Sequence, residues 1–304
     1  MRASKAIGLY LVAVILVGSL FAPWLFWAVQ WLAPHVPVLQ GAAAYPFHRF
    51  FDRSVMIVAI AGLWPLLRVL GFRSWNGLGY VRARGWSRHL LAGWALGAGS
   101  LALLIVITVA WGSHSLHLDK SAGQMAGAAL RYFLVGIAVA LVEETLFRGV
   151  LQKALQRGMN ALLALLATSA VYSAVHFLKP YAMNIPANEV RWSSGLACLA
   201  EIVPHSFHHT GVFVSVVTLF LAGCVLGLAY IKTGALYLPI GLHAGWVWAN
   251  EFARWLGAGS ISDDLVAWPM LVLLLLTIAR LWQNKLRPLP DLEPSRAGHD
   301  GRWR

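Results

Sequence analysis

Apolar runs of about twenty residues recur along the whole chain, and this repetition restricts the fold more than any other feature. In a bilayer core every backbone N–H and C=O must be satisfied within the protein, so runs of this length are expected to be α-helices. The first, 6–33, follows Arg2 and Lys5. It is longer than a signal-peptide core and lacks a convincing cleavage site, so it is read as an uncleaved first span. Further spans are expected near 54–71, 89–111, 127–157, 161–178, 212–231 and 235–255. An eighth starts around the first-turn acids Asp263 and Asp264 and ends near Trp282. The expected fold is all-α, a polytopic membrane helical bundle of about eight transmembrane helices. Residues 1–282 form a single bundle with its core at about 127–255, followed by a disordered basic tail, 283–304.

Composition agrees, with 59% hydrophobic and only 12% charged residues. A net charge of +12 could suit nucleic acid, but the basic residues lie in short loops beside apolar runs, which is the mark of membrane topology. Sixteen of the 24 Lys and Arg fall on the side that holds both termini and six on the other. Both termini are therefore expected in the cytoplasm of a multi-pass cell-membrane protein. Cys198 and Cys224 lie in apolar surroundings and support neither a disulfide framework nor thiol catalysis.

Local signals divide the rest. Gly93 and Gly97, and again Gly223 and Gly227, have the spacing that lets helices approach closely. Residues 72–88 place Arg73, Arg82, Arg84 and Arg88 among Trp75, Tyr80 and Trp86, as in a headgroup-level loop. A turn is expected at Gly158-Met-Asn160. The stretch 179–210, with Pro180, Pro186 and Pro204, is expected to be irregular. His205, His208 and His209 within it could be read as a metal cluster, but a solvated or interfacial role is the commoner one.

One apolar run contains Leu141-Val-Glu-Glu-Thr-Leu-Phe-Arg-Gly149. Each charged group at the bilayer centre costs roughly 2.5–3.5 kcal/mol on insertion scales, so a helix that merely spans would carry none. Arg148 is four residues after Glu144, which makes Glu144 its ion partner and leaves Glu143 on another face, placed to act as a general base. The plainer reading is a closed polar cluster that pins helices together.

Glu143 lies sixteen residues before Met159 and His176 seventeen after it. An antiparallel hairpin would set both roughly 25 Å from the turn, at equal depth. Ser169, Tyr172, Ser173 and His176 recur at three- and four-residue spacing, a polar stripe that must face protein or a water-filled cavity. His243 follows Pro239 and Gly241, and Asn250 shares its face seven residues on. Taken alone, His243 is as readily a hydrogen-bonding staple as a catalytic group. A carboxylate and two histidines could activate water for attack on a peptide carbonyl, or could bind Zn²⁺ through Glu143, His176 and His243. No HExxH is present to favour a zinc site of that type.

Three segments, in order, resemble the CAAX-prenyl-protease and bacteriocin-processing (CPBP, or Abi) intramembrane proteases. They are Glu143-Glu144-Thr-Leu-Phe-Arg148, Tyr172-Ser-Ala-Val-His176, and the block from Phe220 through Lys232-Thr-Gly234 to Pro239-Ile-Gly-Leu-His243. The resemblance spans about 133–250. It implies that Glu143 activates water, that His176 assists, and that His243 contributes to the oxyanion site, with Glu144 and Arg148 in support. It departs at Val247, where the family usually has Asn or Asp, leaving Asn250 to reach in from the next turn.

The expected function is an intramembrane endopeptidase that acts on a membrane-associated peptide or protein at the bilayer surface, with no nucleic acid as partner. Val247 motivates an alternative, a non-catalytic immunity or scaffold protein that holds a partner in the same cavity. A transporter or proton relay is disfavoured, since no inverted repeat or matched pair of broken helices is evident.

Overall fold

A computed structural model of the chain describes residues 3–81, 85–177, 185–208, 212–258 and 267–281. The regular elements among these residues are helices. They are α1 (Ala3–Leu32), α2 (Pro37–Ala43), α3 (Phe47–Val69), α4 (Trp75–Leu78), α5 (Trp86–Ala110), α6 (Ala122–Glu144), α7 (Lys153–Gln156), α8 (Ala161–Phe177), α9 (Ser194–His208), α10 (Val212–Thr233), α11 (Tyr237–Trp255) and α12 (Ala267–Leu281). A π-helical segment, Thr145–Gln152, joins α6 to α7. Among the described residues, five stretches are long and apolar enough to cross a membrane: α1, α3, α5, Ala122–Gln156 and α10. Two shorter apolar helices lie at Ala161–His176 and Ala267–Arg280. The chain is a multi-pass helical membrane protein. Asp263, Asp264, His209 and the tail lie outside the described residues, as do the side chains of His205 and His208.

The chain divides into two compact units, Met1–Gly71 with Ala174–Val212, and Phe72–Ser173 with Phe213–Arg304. In the first, α1 packs on α3 and α9. Ser54 Oγ donates to Gly18 O at 2.7 Å and Tyr10 Oη to Ala59 O at 2.7 Å. Phe26, Phe47, Phe50 and Phe51 form an apolar core with Cys198 and Ile202 of α9. The expectation of an irregular stretch over 179–210 is corrected here: Ser194–His208 is helical. Cys198 and Ile202, four residues apart, give it an apolar face for that core, and this packing outweighs the prolines around it.

In the second unit α11 lies against α5 and α6. The α5–α11 crossing is set by two glycine pairs. A Cβ at Gly93 or Gly97 would run into the backbone of Leu238–Leu242, and one at Gly241 or Gly245 into the backbone of Leu90–Ala98. Gly241 lies in an unbroken helix and serves close approach. Pro239 is harmless there because it falls in the first turn, where its missing N–H costs nothing. Val225, Leu226 and Ala229 of α10 pack with Leu238 and Leu242 of α11 and with Leu271, Leu274 and Ile278 of α12.

Candidate active site

The helix of the acidic pair begins at Ala122, five residues before the predicted start. Ser121 Oγ accepts from Gln124 N and Gln124 Oε1 accepts from Ser121 N, a capping box whose S-x-x-Q pattern was available in the sequence. The regular α-helix ends at Glu144, and the next eight residues form the π segment. Such wide turns add a residue per turn and turn the following side chains relative to α-helical register. Here the change starts directly after the Glu-Glu pair, and only Leu146 of the segment is not buried. Nothing in the apolar pattern of the sequence announces it. After α7 the chain turns at the predicted place, and Asn160 Oδ1 accepts from Leu163 N at 2.8 Å to cap α8.

Two polar side chains of the π segment dock on α10. Arg148 Nη2 donates to Gly223 O at 3.1 Å, and Gln152 Nε2 to Gly227 O at 3.1 Å. A Cβ on Gly227 would lie 2.7 Å from Gln152 Oε1, so this glycine makes room for a polar side chain, whereas a Cβ on Gly223 would press on Ser169 of α8.

Glu144 and Arg148 are fully buried and paired at 2.8 Å, as the i,i+4 spacing predicts. Glu144 Oε1 also lies 2.8 Å from His243 Nδ1. A carboxylate only accepts, so Nδ1 carries the proton in this contact and the opposite nitrogen is turned the other way. That nitrogen, Nε2, faces Glu143 Oε2 at 3.8 Å, longer than a hydrogen bond. The Glu143 side chain is 27% exposed against 0% for Glu144, so Glu143 is the less enclosed carboxylate of the pair. The Tyr172 ring covers the Arg148 guanidinium at 4.7 Å and meets the His243 and Phe147 rings edge-on. Glu143, Glu144, Arg148, Tyr172 and His243 thus form one cluster within the second unit.

His176 is on the last turn of α8, in the segment assigned to the first unit. Asn250 lies two turns beyond His243 on α11, where its amide donates to Glu251 Oε1 at 3.4 Å. Val247 is half-buried between them. Sequence reading did not single out Thr145 or Gln152 as part of this region.

Among the described residues, no group of three or more His, Cys, Asp or Glu side chains is gathered to hold a metal ion. With Glu144 committed to Arg148, the second unit offers Glu143 and His243 Nε2, one donor short of the three protein ligands usual for catalytic zinc.

Residues 125–249 match the model of the type II CAAX prenyl endopeptidase Rce1-like family. The match runs from the first turn of α6 to Ala249 of α11, so it contains every residue of the cluster. Over this segment the chain is similar to the CAAX-protease family. That similarity supports, in general terms, a CAAX-type intramembrane protease function. Comparison with curated proteins and with solved structures gives no match.

Proposed function

We propose that this CAAX-protease relative is a glutamic intramembrane endopeptidase in which Glu143 is the general base. The observation that carries the reading is the division of labour between neighbouring carboxylates. Glu144 is consumed by Arg148 and His243, while Glu143 is partly exposed and faces His243 Nε2. In the proposed reaction Glu143 takes a proton from water, and the hydroxide attacks the peptide carbonyl carbon. His243 Nε2, the ring nitrogen without a proton, accepts a hydrogen bond from that water and orients it, and the proton then passes from Glu143 to the leaving amine as the C–N bond breaks. His176 assists the water, by resemblance, and Asn250 approaches from the next turn of α11. Arg148 and Tyr172 hold the second carboxylate in place. No step uses a metal.

The substrate in this reading is a membrane-associated peptide or protein cut near the bilayer surface, and both termini face the cytoplasm. The test is to map protein termini by mass spectrometry in host cells with wild type or Glu143→Gln at matched membrane abundance. Termini that depend on Glu143 support proteolysis and identify the substrate. Val247 favours one competing reading, a non-catalytic scaffold. That reading predicts unchanged termini and retained cellular function in Glu143→Gln.

A further inference from the structure

The turn that precedes α5 lies outside the family-matched segment, yet it reaches the base of the cluster. Gly79 O accepts from Leu236 N at 3.0 Å, which ties this turn to the start of α11. Gly79 has φ +104°, and a Cβ there would press on the Tyr230 ring, so only glycine fits. Leu78 is fully buried, and its carbonyl lies 2.9 Å from where a Cβ on Gly149 of the π segment would stand. Tyr80, the next residue after Gly79, extends its hydroxyl to Thr145 Oγ1 at 2.6 Å.

The donor order of this chain follows from proton counting. Thr145 Oγ1 donates to Leu141 O at 2.5 Å, which uses its one proton, so the Tyr80 hydroxyl is the donor to Thr145. Burial raises the Tyr80 phenol above its ordinary value, which keeps that donor protonated. Leu141 O also takes the Thr145 backbone N–H. A threonine hydroxyl that shares the i−4 carbonyl loosens the local α-helix, and here it does so at the residue where π geometry begins. Thr145 immediately follows Glu144, whose direction toward His243 depends on that junction.

We infer that Tyr80 is a positioning residue. Through Thr145 it fixes the α-to-π junction and so aims Glu144 at His243 Nδ1, which leaves Nε2 turned to the reacting site. Tyr80 does not touch substrate, and the inference rests on the proteolytic reading above. The rings of Trp75 and Tyr237 hold the Tyr80 ring edge-on, so its hydroxyl can be removed without moving the ring.

The test uses full-length protein in nanodiscs, ¹⁵N-labelled at histidine, with His243 assigned by its loss in His243→Gln. In wild type the His243 signal reports a proton held on Nδ1. Tyr80→Phe is expected to populate the other tautomer and to slow formation of the Glu143-dependent termini about tenfold or more, at unchanged membrane abundance. Thr145→Ser keeps both hydrogen bonds and is expected to behave as wild type. Thr145→Val should match Tyr80→Phe, and the double variant should be no worse than either, since the two act in one chain. A purely packing role for Tyr80 would leave the tautomer and rate of Tyr80→Phe unchanged, and that result overturns the inference. Termini that persist in Glu143→Gln overturn the proteolytic reading and Tyr80's part in it. Termini lost in Glu143→Gln but formed at the wild-type rate in Tyr80→Phe overturn the inference alone.

Discussion

Glu144 and His243, ninety-nine residues apart, meet through a 2.8 Å contact between Oε1 and Nδ1 in the buried centre of the second unit. The same carboxylate oxygen receives Arg148 Nη1 at 2.8 Å. One oxygen therefore joins the helix of the acidic pair to α11. Arg148 in turn reaches the α10 carbonyl of Gly223, so three helices share one charged centre.

That sharing makes Arg148 costly to remove. Arg148→Met leaves Glu144 buried without its cation and is expected to lower stability by about 3–5 kcal/mol. Adding Glu144→Gln to it should recover part of the loss, because the uncompensated charge disappears. Unfolding of the purified protein in mild detergent measures both.

The α5–α11 crossing gives a comparison within one helix. Gly97→Ala places a methyl group in the α11 backbone, while Gly99→Ala meets no atom within 4 Å. The first is expected to cost about 1–3 kcal/mol, and the second to be neutral or slightly stabilising through helix propensity. Thermal unfolding of the two variants side by side checks this. Equal melting points would contradict the close crossing.

The sequence revealed what helical periodicity controls. Glu144 and Arg148 are four apart and do pair, and the turn after Gln156 falls where Gly158 and Asn160 place it. The partner of His243 was less accessible, since a depth argument cannot choose between Glu143 and Glu144, whose side chains point to different faces. The π segment was invisible, because it depends on Arg148 and Gln152 finding carbonyls seventy-five residues away. Gly223 and Gly227 were visible as small residues, but not that Gly227 makes room for the Gln152 side chain. Helix α9 was missed because prolines were weighed above the apolar spacing of Cys198 and Ile202. The start of α6 precedes the apolar run because the polar pair Ser121 and Gln124 forms its capping box.

The Tyr172 ring packs on Arg148, Phe147 and His243. Tyr172→Phe keeps the face over Arg148 and the edge contacts to Phe147 and His243. Tyr172→Leu loses them and is expected to cost about 2 kcal/mol more than the phenylalanine variant. Stability measurements on both variants separate the ring from the hydroxyl.

The charge bias along the chain predicts orientation. Single cysteines placed at Ser4 and Ser295, in a background with Cys198 and Cys224 replaced by serine, should be labelled by a membrane-impermeant maleimide only after the cytoplasmic face is opened. Labelling of either one in intact cells would overturn the proposed topology.

The central claim is that Glu143, and not its neighbour, activates the attacking water. Its most direct test is cleavage by purified protein in nanodiscs, with the substrate that terminus mapping identifies. Glu143→Gln is expected to lower kcat by about 10²–10⁴ with KM nearly constant, as for loss of a general base. The melting point and the His243 tautomer should not change, since Glu144 holds that ring. Cleavage by Glu143→Gln within a factor of two of wild type would contradict the account.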